Sequence, residues 1–121
     1  MGDKPNILLV EDDFLIAYDM KLQLEEAAFV VVGTVSSAED ALALLEDTSV
    51  CAAVLDMDLG GVSSFPIAHR LNEMRIPFLF VSGNDGGESH GDLAGSPIMT
   101  KPVNYPRLIS VLRGLLGAQG T

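Results

Sequence analysis

The sequence predicts a parallel three-layer α/β domain, a sheet covered by helices on both faces. Two observations carry this expectation. Apolar runs of strand length alternate five times with stretches of helical period. The runs are also continuous, as strands buried on both faces require, and do not alternate apolar with polar. Right-handed crossovers restrict the connections, but periodicity alone leaves the strand order open.

Each element has its own signal. Residues 6–10 form an apolar run bounded by Pro5 and by acids. Residues 14–28 change period, and Leu15, Met20, Leu22, Leu24, Ala27 and Ala28 predict a helix with a broad inward face. Residues 29–35 are valine-rich and read as the second strand. Ser36 or Ser37 caps the next helix, and the Ser36–Glu39 pair makes the better capping box. That helix runs to about Asp47 with Ala38, Ala41, Leu42 and Leu45 inward. Residues 51–56 are the third strand, with Cys51 beginning it as a buried residue. Gly60–Gly61 break the chain before a helix over 63–74, with Pro66 in its first turn, where a missing N–H costs little. Residues 76–82 are the fourth strand and 97–100 a short fifth one. A closing helix over 103–117 carries Leu108, Ile109, Val111, Leu112, Leu115 and Leu116, with Gly117 ending it. Residues 83–96 hold many Gly, Asp and Ser residues and only Leu93 as a large apolar one. They read as a loop, or at most a short irregular helix.

Composition excludes several function classes. A chain of 121 residues builds one domain with a real core, and a 48% hydrophobic fraction is too high for a disordered segment. Seven Lys and Arg face 17 Asp and Glu, for a formal net charge of -10. Such a surface repels nucleic acid and gives no reason to expect an anionic membrane partner. No run approaches the roughly twenty residues of a membrane helix. No basic, apolar leader opens the chain, and the single Cys51 permits no internal disulfide. A cytosolic single domain is expected, without a second domain.

The functional signal lies at the ends of the runs. Glu11 and Asp12 follow the first, Asp56 the third, Ser82 the fourth and Lys101 the last. In an open parallel sheet these ends meet at one edge, where such folds bind ligands. Three converging carboxylates repel one another, and protonation or a divalent cation relieves them. Oxygen-only ligands favour Mg2+. Lys101 is placed to pair with Asp56 and then with a phosphoryl oxygen, and Ser82 offers a hydroxyl. A carboxylate nucleophile, a neutralising metal and a fixed cation are the parts of in-line phosphoryl transfer. Asp56 is thus the expected acceptor. Asp12 holds the metal directly, Glu11 partly through water, and Asp58 through its backbone carbonyl. Taken singly, each residue has a plain alternative as a helix cap, turn former or surface lysine. Four such accidents at four strand ends are a poorer account than one site. His69 and His90 read as a half-covered helix residue and a loop residue, and no GxxxxGK[ST] pattern supports nucleotide binding.

With these residues, the chain resembles a response-regulator receiver domain of two-component signalling. The matching text is Ile7-Leu8-Leu9-Val10-Glu11-Asp12-Asp13, Val54-Leu55-Asp56-Met57-Asp58-Leu59-Gly60-Gly61, Phe80-Val81-Ser82-Gly83 and Thr100-Lys101-Pro102. It resembles stand-alone alpha-proteobacterial receivers in particular. The resemblance covers about residues 5–117 and implies a flavodoxin-like, doubly wound five-stranded sheet in the order 2-1-3-4-5. It implies phosphorylation of Asp56 by a sensor histidine kinase or histidine phosphotransfer protein, an unknown downstream protein and a possible homodimer. It also implies a cis peptide before Pro102. Two departures stand out. Ile98 occupies the place where the family usually carries a rotating aromatic residue. The fourth helix, over residues 84–95, is poorly encoded, since each interior glycine costs roughly 1 kcal/mol. Ordering of that segment on phosphorylation or partner docking is an expected substitute for the aromatic switch. Asn84 falls where receivers often border the attacking water, but an Asn-Asp pair in a loop reads first as polar turn residues. Two other functions stay open. One is a small Mg2+-dependent phosphatase with Asp58 as acid and base. The other is a pseudo-receiver that binds partners without being phosphorylated.

Overall fold

The computed structural model describes residues 4–83 and 97–119. Five strands form the main sheet: β1 (Asn6–Val10), β2 (Val30–Val35), β3 (Ala52–Asp56), β6 (Phe78–Ser82) and β7 (Ile98–Thr100). All pair in parallel, in the spatial order β2-β1-β3-β6-β7, which is 2-1-3-4-5 when only these five are counted. The fold is flavodoxin-like, as the resemblance implied. Between β3 and β6 lies a small antiparallel hairpin, β4 (Asp58–Leu59) and β5 (Val62–Ser63). Among the described residues there are four helices: α1 (Phe14–Glu26), α2 (Ala38–Asp47), α3 (Phe65–Glu73) and α4 (Tyr105–Gln119). The segment expected to be loop or irregular fourth helix, with Asn84 and His90, lies outside the described residues.

Two apolar layers sandwich the sheet. On one face Leu8, Val10, Ala53, Leu55 and Phe80 pack against α2 and α3 through Ala41, Leu45, Ile67, Ala68 and Leu71. On the other Ile7, Leu9, Val54, Leu79 and Val81 meet Met20 and Leu24 of α1 and Leu108 and Leu112 of α4. Successive strand residues therefore feed opposite layers, which is why the runs had to be apolar throughout. Phe80 is fully buried and touches both Phe65 and Phe78 at centroid distances of 5.6 and 5.5 Å.

Local chemistry sets the ends. Asp13 caps α1, its Oδ1 accepting from the Leu15 and Ile16 amides at 3.0 and 3.2 Å. Ser37, not Ser36, caps α2: its Oγ accepts from the Asp40 amide at 3.1 Å, so the Ser36–Glu39 box does not form. Pro66 stands in the first turn of α3 as expected. In β2 the register with β1 slips by one residue, pairing Ile7 with Val31 and Leu8 with Gly33. A Cβ on Gly33 would run into Leu44 of α2, so glycine lets the helix lie close on the strand.

Other expectations need correction. Leu15 and Leu22 do not face the core; they are 74% and 44% exposed, beside an exposed Phe14 and Tyr18. Helix α1 is apolar nearly all round, so its period did not reveal its inner face. Cys51 is exposed and precedes β3. His69 is exposed. Helix α4 continues past Gly117 to Gln119, for glycine lowers helix propensity without forbidding the conformation.

Candidate functional site

The sheet delivers the expected residues to one edge. Glu11 follows β1 and its amide still donates to the Val35 carbonyl of β2, at 2.9 Å. Met57, just after Asp56, donates to Val81 at 2.9 Å, and Lys101 donates to Ser82 at 2.8 Å. These amides hold the backbone beside each functional side chain in continuation of the strand pairing. The peptide between Lys101 and Pro102 is cis.

Around this edge lies a cavity of about 860 Å3, with Glu11, Asp12, Asp56, Asp58, Ser82 and Lys101 in its wall. Glu11, Asp56 and Ser82 are each 5% exposed, whereas Asp12 and Asp58 are exposed. The Lys101 ammonium bridges the two buried carboxylates, 3.1 Å from Glu11 Oε1 and 3.3 Å from Asp56 Oδ2. Asp56 Oδ1 accepts from the Asp58 amide at 3.2 Å, and Glu11 Oε2 from the Asp13 amide at 3.0 Å. Glu11 Oε1 is buried, and despite the nearby ammonium no donor meets it with hydrogen-bonding geometry.

Electrostatics follow from this crowding. Burial, and then the Asp56 carboxylate beside it, push the Glu11 carboxyl from 4.5 to about 7, against the opposing pull of the Asp13 amide and Lys101. For Lys101, burial acts to lower the ammonium's value, but hydrogen bonding to Glu11 and the charges of Asp56 and Glu11 outweigh it and raise it. The carboxylates are under-neutralised by one lysine.

The donor set fits a hard divalent cation. Glu11, Asp12 and Asp56 each offer an oxygen, and these oxygens lie within 4.8 Å of one another. All these ligands are oxygens, which suits Mg2+. The Asp58 carboxylate is not part of this group: its Oδ1 accepts from the Gly61 amide at 2.7 Å and closes the β4–β5 turn. The metal role expected of Asp58 belongs to its backbone carbonyl, not to this carboxylate.

Sequence reasoning missed two parts of this neighbourhood. The hairpin was read only as a chain break, although Gly-Gly between Leu59 and Val62 is a two-residue turn signal. Tyr105, at the start of α4, had no visible partner. Here it lies beside Asp19 of α1, and its phenol is pushed up to about 12 by burial first and then by Asp19. Tyr105 and Asp19 share with Leu15, Ile16, Lys101 and Pro102 a second cavity of about 360 Å3 next to the first. Ile98 is half-buried against the α2–α3 layer.

A five-stranded parallel sheet in this order, with an acidic cluster and a lysine at its carboxyl edge, defines a receiver domain. Comparison with known proteins agrees: the Response regulator receiver domain family matches residues 7–113, and the chain belongs to it. It is 29% identical over 118 residues to the transcriptional regulatory protein YvrH of Bacillus subtilis, covering 94% of this chain and 50% of that protein. Over 115 residues it is 29% identical to the cell cycle response regulator CtrA of Brucella ovis, covering 91% of this chain and 49% of that protein. The chain thus spans about half the length of the curated relatives it matches. Among solved structures it is similar to SdrG from Sphingomonas melonis Fr1, with 36% identity and a TM-score of 0.82 over 96% of this chain and 99% of that one. Receiver domains generally partner histidine kinases or phosphotransfer proteins, and the acidic cluster is consistent with a phosphoaccepting, Mg2+-binding site. Among the described residues no helix is long and apolar enough to cross a membrane.

Proposed function

We propose that this chain is a phosphorylatable switch whose Asp56 accepts a phosphoryl group in a Mg2+-dependent reaction. The observation that carries the reading is the buried Asp56 carboxylate, held by the Asp58 amide on one oxygen and by Lys101 on the other, beside two further carboxylates. Asp12, Glu11 and Asp56, with the Asp58 carbonyl, would hold the metal. When bound, Mg2+ neutralises charge on the phosphoryl oxygens. An Asp56 oxygen forms a bond to phosphorus while the bond from phosphorus to the donor breaks. The leaving group, an imidazole nitrogen of a phosphohistidine or the acetate of acetyl phosphate, departs with the electron pair. Lys101 turns from Asp56 toward a phosphoryl oxygen, and the Ser82 hydroxyl donates to another.

The outer face of α1 is the donor's docking surface in this reading. Phe14, Leu15 and Tyr18 are exposed there, and Leu15 lines the second cavity together with Lys101. A sensor kinase or phosphotransfer helix that buries them brings its phosphohistidine to the site. The new charge then alters contacts with a downstream protein. A phosphatase reading is weaker, since one oxygen of the carboxylate it needs as acid and base already accepts from the Gly61 amide. The test is intact mass after incubation with acetyl phosphate and Mg2+. One added phosphate is expected, absent when metal is chelated and absent in Asp56→Asn. An unmodified wild-type protein with every donor tried refutes the reading.

A further inference from the structure

We propose that the β4–β5 hairpin is a preformed lip of the metal site, and that the Asp58 carboxylate is its positioning residue. The inference rests on the Mg2+ reading above and assigns Asp58 a side-chain task distinct from liganding. Three contacts converge on this hairpin. The Asp58 amide holds Asp56 Oδ1 at 3.2 Å. Its own Oδ1 reaches across the turn to the Gly61 amide at 2.7 Å. Gly60, with φ +63°, comes so close to Asp12 that a Cβ there would lie 3.3 Å from Asp12 Oδ2.

The chemistry follows from those contacts. Gly60 and Gly61 both have positive φ, as a two-residue hairpin turn demands. A turn with two glycines is entropically loose, because glycine gains most freedom on unfolding. Strands of two residues supply little pairing to oppose that. The short, charge-assisted bond from Gly61 to Asp58 is what fixes the turn. With the turn fixed, Gly60 lies against Asp12, Asp58 presents its amide to Asp56, and the ligand oxygens are held before a cation arrives. Leu59 anchors the lip from below, being 6% exposed and packed in the α2–α3 layer. The lip is therefore rooted in the core although its tip is exposed.

The experiment compares Mg2+ binding by calorimetry in wild type, Asp58→Ala and Asp58→Asn, with exchange of the Gly61 amide proton followed by NMR in metal-free protein. Asp58→Ala removes the acceptor; it should weaken Mg2+ by about ten-fold or more, the usual effect of losing a partner that orients a ligand, and should unprotect Gly61. Asp58→Asn keeps an oxygen acceptor and should recover most of the affinity and the protection. Equal losses in Ala and Asn, with Gly61 protected in both, would show that the charge of Asp58 acts and its turn contact does not, overturning the proposal. So would unchanged affinity in Asp58→Ala. Gly60→Ala and Gly61→Ala give an independent arm. Both strain the turn, but only the methyl at 60 meets Asp12, so Gly60→Ala should be the weaker binder. The reverse order overturns the proposal. Absence of Mg2+ binding by the wild type would instead sink the underlying functional reading.

Discussion

Binding of Mg2+ should be coupled to release of a proton from Glu11, and the coupling can be sized. The Glu11 carboxyl titrates near pH 7 because it is buried against Asp56. Roughly nine in ten metal-free molecules then carry the proton at about pH 6, and one in ten at about pH 8. A cation that needs the ionised carboxylate must displace it, so apparent affinity should be about ten-fold tighter at about pH 8 than at about pH 6. Near pH 7 about half a proton should leave per ion bound. Calorimetry in two buffers of different ionisation enthalpy measures this directly. Glu11→Gln should bind more weakly but lose the pH slope. The same shift has a stability consequence of defined sign. Because the folded value lies above the ordinary 4.5, the folded state holds this proton more tightly than the unfolded chain. Its stabilising contribution is complete below about pH 4.5 and is lost as pH rises to about 7, so metal-free protein should melt lower across that window. Flat affinity between about pH 6 and 8, with no buffer-dependent heat, would refute the argument from burial and crowding.

Further expectations concern the framework around the site. Lys101→Met should destabilise metal-free protein at neutral pH by about 1–3 kcal/mol, because two buried carboxylates lose their shared cation; urea unfolding measures it, and Mg2+ should restore most of the loss. Gly33→Ala should cost about 1–3 kcal/mol by forcing Leu44 aside, and Leu44→Ala in the same chain should make the added methyl nearly neutral. Ser37→Ala should lose about 1 kcal/mol with the α2 cap, whereas Ser36→Ala should leave the urea midpoint unchanged.

What the sequence made legible, and what it hid, has a physical pattern. Strands β1, β3 and β6 were visible because both of their faces are buried, so their interior residues are all apolar. The polar residue ending each run then stood out, and the structure brings Glu11, Asp56, Ser82 and Lys101 to one cavity. The strand order needed more than periodicity and came from the resemblance. Helix α1 misled because its outward residues are as apolar as its inward ones: Phe14, Leu15, Tyr18 and Leu22 are exposed while Met20 and Leu24 are buried. An exposed apolar face and a core face look alike to a hydropathy pattern. The hairpin was hidden by length, for two-residue strands show no period, and only Gly-Gly betrayed it. The Ser37 cap was hidden because the neighbouring Ser36 has an equally good spacing to an acid. Tyr105 and Asp19 are far apart in the chain, and no local rule pairs them.

The amides of Glu11, Met57 and Lys101 are the outermost rungs of the ladder, each one residue past the end of a strand, where a sheet would ordinarily fray. Fraying there would swing the reactive groups apart, so the site exists only while those rungs are closed. The three protons are thus sentinels: their solvent exchange times the opening of the site itself, and an ion or phosphoryl that clips the groups together should slow all three in concert while leaving the opposite end of the sheet as it was.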